Sequence, residues 1–308
     1  MGRAKQLLGQ ADDAGRVTDT GRARESLIAL GFLAPSLIVF GVFFFYPFEQ
    51  LVLRGLYRNN NAGTNLRWEG PKQYADVLTG DEFLEGLWHS VQYVLFTVPA
   101  GLILGTLLAV AAHRRLKGIK VFQFIFSSTI ASSAAVSAIV FLVLINPEIG
   151  IYKGGMPFSD GASILESPHT ALFGVALSSI WQNLGLSFVI VLAGLQAIPD
   201  DVDEAATLDG YGPVRRFFRI TLPLLSPVLM FLVVVLVIFA FQAFAPIELL
   251  TQGGPNGATE TLVVKIFQRQ APNQVGEGAV MSVGLFVVTF VVTLGQFLLL
   301  DRRVHYGS

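Results

Sequence analysis

Six apolar segments, each close to the length of a bilayer crossing, divide this 308-residue chain. A transmembrane helix needs about 20 mainly apolar residues, and backbone groups in lipid must find their partners within the segment. The segments are too long for barrel strands and do not alternate apolar with polar residues. The sequence therefore predicts an all-α membrane protein with six transmembrane helices. Their approximate ranges are 27–48, 87–112, 121–145, 171–197, 224–249 and 279–300.

The composition agrees with a membrane-embedded chain and excludes several other classes. Hydrophobic residues make up 53% of the sequence and charged residues 14%, whereas soluble domains carry about 25% charged residues. The net charge of −1 leaves no basic excess, so we expect no nucleic-acid partner. The sequence contains no Cys, and its four His are dispersed. We therefore predict neither a metal site nor a catalytic cluster.

The Lys and Arg residues of the connecting segments indicate the orientation of the chain. Fourteen of the 21 basic residues lie on the side that holds both termini, and seven lie on the other side. Both termini are therefore expected in the cytoplasm, with a disordered polar tail at 1–25 and a short tail at 304–308. Residues 26–303 form the predicted six-helix domain. Within it, the polar loop at 198–223 falls on the cytoplasmic side.

This loop, between the fourth and fifth segments, has the most specific sequence pattern of the chain. The residues around Glu204 favour a short helix. Gly210 and Gly212-Pro213 then force a bend, because glycine adopts backbone angles that a Cβ forbids. A second short helix over 214–220 follows, with its arginines at the level of the lipid headgroups. The sequence thus predicts a rigid pair of small helices on the cytoplasmic face.

The spacing of the loop is Glu-Ala-Ala, three residues, Gly, nine residues and then Ile-x-Leu-Pro. It resembles the EAA motif of permease subunits in binding-protein-dependent ABC importers. Over 26–303 the chain is similar to the sugar-type group of these permeases, to which the larger maltose permease subunit belongs. Within that group, Asn146-Pro147 and the stretch 212–218 are most similar to the permeases for glycerol-3-phosphate or glycerophosphodiesters. An amphipathic connector lying on the membrane surface is the alternative interpretation of the loop.

The resemblance implies a complex of several subunits. The chain contains no G-x-x-x-x-G-K-[ST] sequence, so ATP and Mg are expected on two separate ATP-binding subunits, and this chain is expected to bind no cofactor and to be no enzyme. The family also implies a second homologous permease, an extracytoplasmic substrate-binding protein and the bilayer of the bacterial cytoplasmic membrane. The residues implied to couple to the ATP-binding subunits are Glu204, Ala205, Ala206, Asp209, Gly210, Arg215, Arg216, Phe217, Ile220, Leu222 and Pro223.

The same resemblance implies a substrate pathway on the two helices that flank this loop. Polar side chains inside a span are costly, so they face a cavity or a neighbouring helix. The predicted pathway residues are Trp181, Gln182, Asn183, Leu186, Ser187, Phe239, Ala240, Gln242 and Ala243. Several of them are apolar at positions where the family contacts its sugar. Contact with the binding protein is expected at Gly253, Gly254 and Pro255.

The sequence leaves alternatives for both the substrate and the protein class. The resemblance favours a glycerophosphodiester, such as glycerophosphocholine, or sn-glycerol-3-phosphate, and a disaccharide or other oligosaccharide is the alternative. Because no Lys or Arg lies in mid-span, a zwitterionic diester or a neutral sugar is favoured over a free phosphomonoester. An ion-coupled secondary transporter would show more spans and ionisable residues inside them. We therefore predict an ABC importer permease that works by alternating access.

Overall fold

The computed structural model describes residues 19–59, 66–113, 117–146, 148, 150–151 and 163–300. Most of these residues are helical. The α-helices are α1 (Asp19–Phe40), α2 (Tyr46–Arg54), α3 (Pro71–Leu78), α4 (Asp81–Ala112), α5 (Ile119–Ser127), α6 (Ala134–Ile145), α7 (Ala171–Gln196), α8 (Asp200–Leu208), α9 (Pro213–Arg216), α10 (Leu222–Leu224), α11 (Ser226–Phe241), α12 (Ala245–Leu250), α13 (Leu262–Gln268) and α14 (Val275–Leu300). Two short strands, β1 (Tyr57–Asn59) and β2 (Leu66–Trp68), form an antiparallel hairpin. The chain divides into two compact units, residues 1–53 and 54–308.

The described part of the first unit, residues 19–53, is one long helix. α1 passes Pro35 without a break and continues through a π turn at Gly41–Phe45 into α2. Its apolar side chains are exposed, with Phe32 at 82% and Phe43 at 76%, as expected of a span that faces lipid. Of the tail predicted at 1–25, residues 19–25 are helical. Residues 1–18 and the tail at 304–308 lie outside the described residues.

The core of the second unit lies between α4 and α7, which form the most extensive helix pair of the molecule. Val175 and Phe188 of α7 are almost completely buried there. The two backbones approach closely at Gly105, where an added Cβ would lie 2.4 Å from the Cβ of Ser187. Close approach through small residues is a common way of packing membrane helices.

The third apolar segment, predicted as one helix over 121–145, is broken in its middle. α5 and α6 are separated by a 3₁₀ turn and meet at 106°. The Oγ of Ser133 accepts a hydrogen bond of 3.2 Å from the N–H of Val136 and thereby caps the new helix. The bend packs against α7, where a Cβ on Gly185 would lie 2.3 Å from the Oγ1 of Thr129. The bend therefore has both a local cap and a close tertiary contact.

The fifth segment, predicted over 224–249, is also divided. The stretch Pro213–Leu224 meets α11 at 70°. At its other end α11 stops at Phe241, and α12 begins at Ala245 with Pro246 in its first turn. Proline lacks an N–H and its ring crowds the carbonyl four residues earlier, so it is most favourable in a first turn, although α1 accommodates Pro35 in its interior. Pro246 therefore favours a new helix start at Ala245 over a continuation of α11 to residue 249.

Within the described part of the chain, four helices are long and apolar enough to cross a membrane, and the number reaches six if each bent pair is one span. The four are Ile28–Arg54, Asp81–Ala112, Ala171–Gln196 and Val275–Leu299. The bent pairs are Ile119–Ala131 with Ala134–Ile145, and Pro213–Leu224 with Ser226–Phe241. The fold is thus that of a multi-pass membrane protein.

Candidate functional site

The loop at 198–223 contains the short helices α8 and α9, and its turn is closed by backbone hydrogen bonds. α8 ends in a Schellman motif, in which the N–H of Gly210 donates to the carbonyl of Thr207 at 3.1 Å and that of Tyr211 donates to Ala206 at 3.0 Å. Gly210 has a φ of 76°, an angle that glycine adopts without a steric penalty. The turn is therefore ordered by its own backbone.

The second helix of this loop is longer than the predicted stretch 214–220. α9 continues through a π turn at Phe217–Thr221 into α10, so the chain stays helical up to the bend before α11. The guanidinium carbon of Arg215 lies 4.9 Å from the ring centroid of Tyr211, a cation–π contact. This contact links the second helix to the turn that precedes it.

Three large apolar side chains are exposed on the loop. Leu208 is 88% exposed, Val214 69% and Phe218 61%. Exposed apolar groups rimmed by polar ones mark an interaction surface. Among the predicted coupling residues Ala206 is buried, whereas Glu204, Ala205, Asp209, Gly210 and Arg215 are exposed, and Arg216, Phe217, Ile220, Leu222 and Pro223 are half-buried.

Two cavities of about 160 and 540 Å³ adjoin this loop at the end of α4. They share His113, Ile198, Pro199 and Asp200. The larger is open and includes Lys120, which is an exposed side chain. In the described ranges no group of three or more His, Cys, Asp or Glu is placed to hold a metal ion.

A cavity of about 430 Å³ lies between α4, α7, α11 and α12, with one residue from α6. Six of the predicted pathway residues line it, namely Gln182, Asn183, Phe239, Ala240, Gln242 and Ala243. Nine further residues complete the wall, namely Tyr93, Thr97, Val98, Ala134, Ser179, Leu236, Phe244, Ala245 and Pro246. All of the described wall residues are uncharged. A mainly apolar wall with a few convergent polar groups is typical of a small-molecule site.

Two hydroxyl groups of this wall are hydrogen-bonded to each other. The Oη of Tyr93 and the Oγ of Ser179 are 2.6 Å apart, and both residues are buried. Thr97 lies one turn further along α4, and its Oγ1 donates to the carbonyl of Tyr93 at 2.8 Å. In the sequence, α4 was recognised only as a span. Polar residues four apart in an apolar helix were the pattern that could have identified this face.

The other three predicted pathway residues lie outside the cavity wall. The ring of Trp181 packs against Phe141 with a centroid distance of 6.2 Å. Ser187 is fully buried near Gly105, and its Oγ has no hydrogen-bond partner among the described residues. Leu186 is half-buried. The structure thus brings together six of the nine predicted residues.

The loop at 251–261 is a compact turn built around a buried threonine. Thr259 is fully buried, and its Oγ1 lies 2.8 Å from both the carbonyl of Gly254 and the Oγ1 of Thr251. Gly253 has a φ of 89°, and a Cβ there would lie 2.7 Å from the Cγ of Glu260. Of the residues predicted to contact a binding protein, Gly253 is buried, and Gly254 and Pro255 are half-buried.

This loop is attached to α4 through the start of α13. The Oγ of Ser90 accepts a hydrogen bond of 2.9 Å from the N–H of Leu262 and donates to the carbonyl of Gly86 at 2.8 Å. One residue earlier, the Nδ1 of His89 lies 3.2 Å from the carbonyl oxygen of Glu260. The anchoring point is therefore within one helical turn of Tyr93 on the cavity wall.

Ion pairs reinforce the same end of the molecule. Lys265 is buried, and its Nζ lies 3.3 Å from the Oε2 of Glu85 and 3.8 Å from the Oε2 of Glu260. Nearby, Arg58 donates a hydrogen bond of 2.8 Å to Glu277. This hydrogen bond raises the pKa of the Arg58 guanidinium above its ordinary value. The pairs join α4 to α13 and β1 to α14.

Comparison with known proteins gives consistent matches. Residues 98–306 match the family described as "Binding-protein-dependent transport system inner membrane component". The sn-glycerol-3-phosphate transport system permease protein UgpA of Agrobacterium fabrum is 33% identical over 285 residues, covering 89% of this chain and 95% of the relative. UgpA of Escherichia coli O157:H7 is 30% identical over 277 residues, covering 89% and 94%.

The fold also matches solved structures. A chain of a bacterial alginate ABC transporter, in complex with an alginate pentasaccharide-bound periplasmic protein, superposes with a TM-score of 0.76. The match covers 94% of this chain and 99% of the other at 19% sequence identity. At this identity the likeness establishes the fold and leaves the substrate open.

Proposed function

The chain belongs to the family of binding-protein-dependent transport system inner membrane components, and we propose that it imports a glycerophosphodiester, such as glycerophosphocholine, or sn-glycerol-3-phosphate. Family membership makes it a multi-pass permease subunit of a sugar-type ABC importer, with no enzymatic activity of its own. The observation that carries the substrate proposal is the identity of 33% and 30% to UgpA proteins over 89% of the chain.

The proposed topology has six spans with both termini in the cytoplasm. Each bent helix pair is apolar and long enough to count as one span, which supports the number six. The excess of Lys and Arg on the side of the termini supports the orientation. In this arrangement the chain forms half of the pathway, and a second homologous permease forms the other half. Two ATP-binding subunits carry ATP and Mg, and an extracytoplasmic binding protein delivers the substrate.

The loop at 198–223 is the proposed contact with an ATP-binding subunit. Its turn is ordered by the Schellman motif at Gly210. Because the turn is ordered, a displacement of α8 would be transmitted to α9. Leu208 and Phe218 offer exposed apolar surface for a partner to cover. α9, the π turn and α10 lead without interruption to the bend before α11. A displacement of the loop would therefore reach the helix that carries Phe239 and Ala240.

The cavity lined by Gln182, Asn183 and Gln242 is the proposed substrate pathway of this subunit. It lies between α7 and α11, the helices on either side of the coupling loop, and α4 closes it. A ligand in this position would experience any relative movement of α7 and α11. The proposed cycle is alternating access, in which ATP closes the ATP-binding subunits and hydrolysis resets the helices.

The segment Gly253, Gly254 and Pro255 is the proposed region of contact with the binding protein. The loop at 251–261 holds its shape through Thr259 and is fastened to α4 by Ser90. Because Gly253 itself is buried, the half-buried Gly254 and Pro255 are the members of the segment that offer surface.

Reconstituted transport tests the proposal. The chain is assembled in proteoliposomes with its second permease and ATP-binding subunits, and the cognate binding protein is added. ATP-dependent uptake of labelled glycerophosphocholine, sn-glycerol-3-phosphate and maltose is then compared. We expect uptake of at least one glycerophosphate and none without ATP. A complex that carries maltose and ignores both glycerophosphates would contradict the proposed substrate.

A further inference from the structure

The hydroxyl pair of Tyr93 and Ser179 has an unused hydrogen-bond donor. Each hydroxyl has one O–H, and the 2.6 Å bond between the two oxygens uses one of the two. Among the described residues, no other hydrogen bond of either side chain is found. A buried donor without an acceptor is costly, and this pair forms part of a cavity wall. Tyr93 is 0% exposed and Ser179 5%, so the pair meets the cavity through Ser179. The free donor can be satisfied from within the cavity when Ser179 carries it.

The rest of the polar wall has the same neutral character. Gln182, Asn183 and Gln242 each bring a carboxamide, which offers donors and an acceptor, and Phe239 brings an apolar ring face. Hydroxyl groups of a polyol are donors and acceptors at once, so they can pair with both the amides and the hydroxyl pair. A phosphate placed against these described residues would meet neutral groups only.

We propose that the Tyr93–Ser179 pair is a specificity-determining element that hydrogen-bonds a hydroxyl group of the transported molecule. This half of the pathway then holds the hydroxylated moiety of the substrate, and the phosphate faces the rest of the complex. The inference rests on the proposed function, since it takes the cavity to be the pathway. Ser179 of α7 makes the contact, and the fully buried Tyr93 of α4 is a positioning residue that holds the Ser179 hydroxyl through their hydrogen bond.

The test compares two substrates that differ in one hydroxyl group. sn-Glycerol-3-phosphate and 3-hydroxypropyl phosphate, which lacks only the hydroxyl on the central carbon, are supplied to the complete reconstituted complex at concentrations that saturate the binding protein. We expect the wild type to transport the full polyol at least about tenfold faster at saturation, because a site built to bond a hydroxyl rejects an analogue that lacks it. In Tyr93→Phe and Ser179→Ala that preference should fall to about threefold or less.

Ser178→Ala is the matched control. The Oγ of Ser178 donates to the carbonyl of Val175 within its own helix at 2.8 Å, and Ser178 lies outside the cavity wall. This variant should keep the wild-type preference. If Tyr93→Phe and Ser179→Ala slow both substrates by the same factor and keep the preference, the pair serves packing alone and the inference is wrong.

Failure of the proposed substrate gives a different pattern. If the wild-type complex carries maltose and neither phosphate, the substrate proposal fails. The role of the pair is then tested with maltose uptake. Tyr93→Phe should lower the maximal uptake rate of maltose about three- to tenfold relative to Ser178→Ala. An unchanged rate would overturn the inference. A complex that carries neither maltose, nor glycerophosphocholine, nor either of the two phosphates would overturn both proposals.

Discussion

The loops at 198–223 and 251–261 each turn on a glycine with positive φ, yet they are held in different ways. At Gly210, φ is 76° and an added Cβ would meet nothing within 4 Å. At Gly253, φ is 89° and the Cβ would lie 2.7 Å from Glu260. The first turn is closed by backbone hydrogen bonds, and Leu208 beside it is exposed. The second has backbone hydrogen bonds too, and the buried Thr259 adds side-chain bonds to them.

This difference separates two kinds of rigidity. A turn closed by its backbone keeps its shape while side chains such as Leu208 stay exposed, which suits a surface that a partner contacts. A turn that buried side chains also hold uses those side chains internally, which suits an anchor for neighbouring helices. Leu208 is exposed in the first loop, and Thr259 is buried in the second.

The largest expected effect is at Gly210. Gly210→Val places a β-branched residue at a positive φ, at a cost of about 1–3 kcal/mol, and so disrupts the turn of the coupling loop. We expect a complex that assembles and binds ATP but shows no uptake in proteoliposomes. Gly212→Ala is the control, because Gly212 has a φ of −66° and open space at its Cβ. Full uptake by the Gly210 variant would show that this turn does not couple.

A smaller loss is expected at the exposed apolar surface of the same loop. Leu208→Asp changes a side chain that is 88% exposed, so thermal unfolding of the chain in detergent should stay as in the wild type. Substrate-stimulated ATP hydrolysis by the complex should fall about tenfold if a partner covers this residue, because charge replaces an apolar contact. Unchanged ATP hydrolysis would show that Leu208 is not part of the interface.

The loop at 251–261 should respond in stability instead. Thr259→Val removes the Oγ1 that lies 2.8 Å from Gly254 and Thr251, so the half-buried carbonyl of Gly254 loses this donor at a cost of about 1 kcal/mol. Thr261→Val is the matched control, because Thr261 is equally buried and its Oγ1 has no hydrogen-bond partner in the described chain. Unfolding of the two variants in detergent should therefore differ. Equal stability would mean that Thr259 does not hold this loop.

The smallest effect is expected at the exposed ion pair of Arg58 and Glu277. Arg58→Gln breaks the bond to Glu277, but the Arg58 side chain is 54% exposed, so we expect a change of at most about 1 kcal/mol. The change should vanish in 1 M salt, since salt screens exposed pairs. A large loss of stability that persists in high salt would show that this pair acts as a buried one.

The sequence predicted the apolar segments well because their length and lack of charge are local properties. It did not predict where the third and fifth segments break. The break after α5 depends on Ser133 acting as a cap and on the contact of Thr129 with Gly185 of α7. The second of these is a tertiary contact, which no local pattern records. The break before α12 did have a local cause, Pro246, which the length of the apolar run concealed.

The site was predictable to a similar extent. Gln182, Asn183 and Gln242 stood out as polar residues within apolar helices, and the structure places all three on one cavity. Tyr93 and Thr97 were missed because α4 was judged by its overall hydropathy. Ser187 was included as a polar residue inside the span, and Trp181 because of the family resemblance. Ser187 shares a helix face with Asn183 but lies one turn beyond the wall, whereas Trp181 is rotated away from Gln182 and packs on Phe141. Their role in transport stays a prediction.

The glycine contacts of α7 have a mechanical consequence. At Gly105 and at Gly185 an added Cβ would lie 2.4 and 2.3 Å from its neighbours, so α7 has no clearance against α4 on one side or the bend of α5 on the other. Surfaces that interlock so tightly do not slide past each other, because interiors are close-packed and deform in discrete steps. These three elements should therefore travel as one body during the transport cycle. Cysteine pairs introduced along their seams into this Cys-free chain should crosslink equally well with and without ATP.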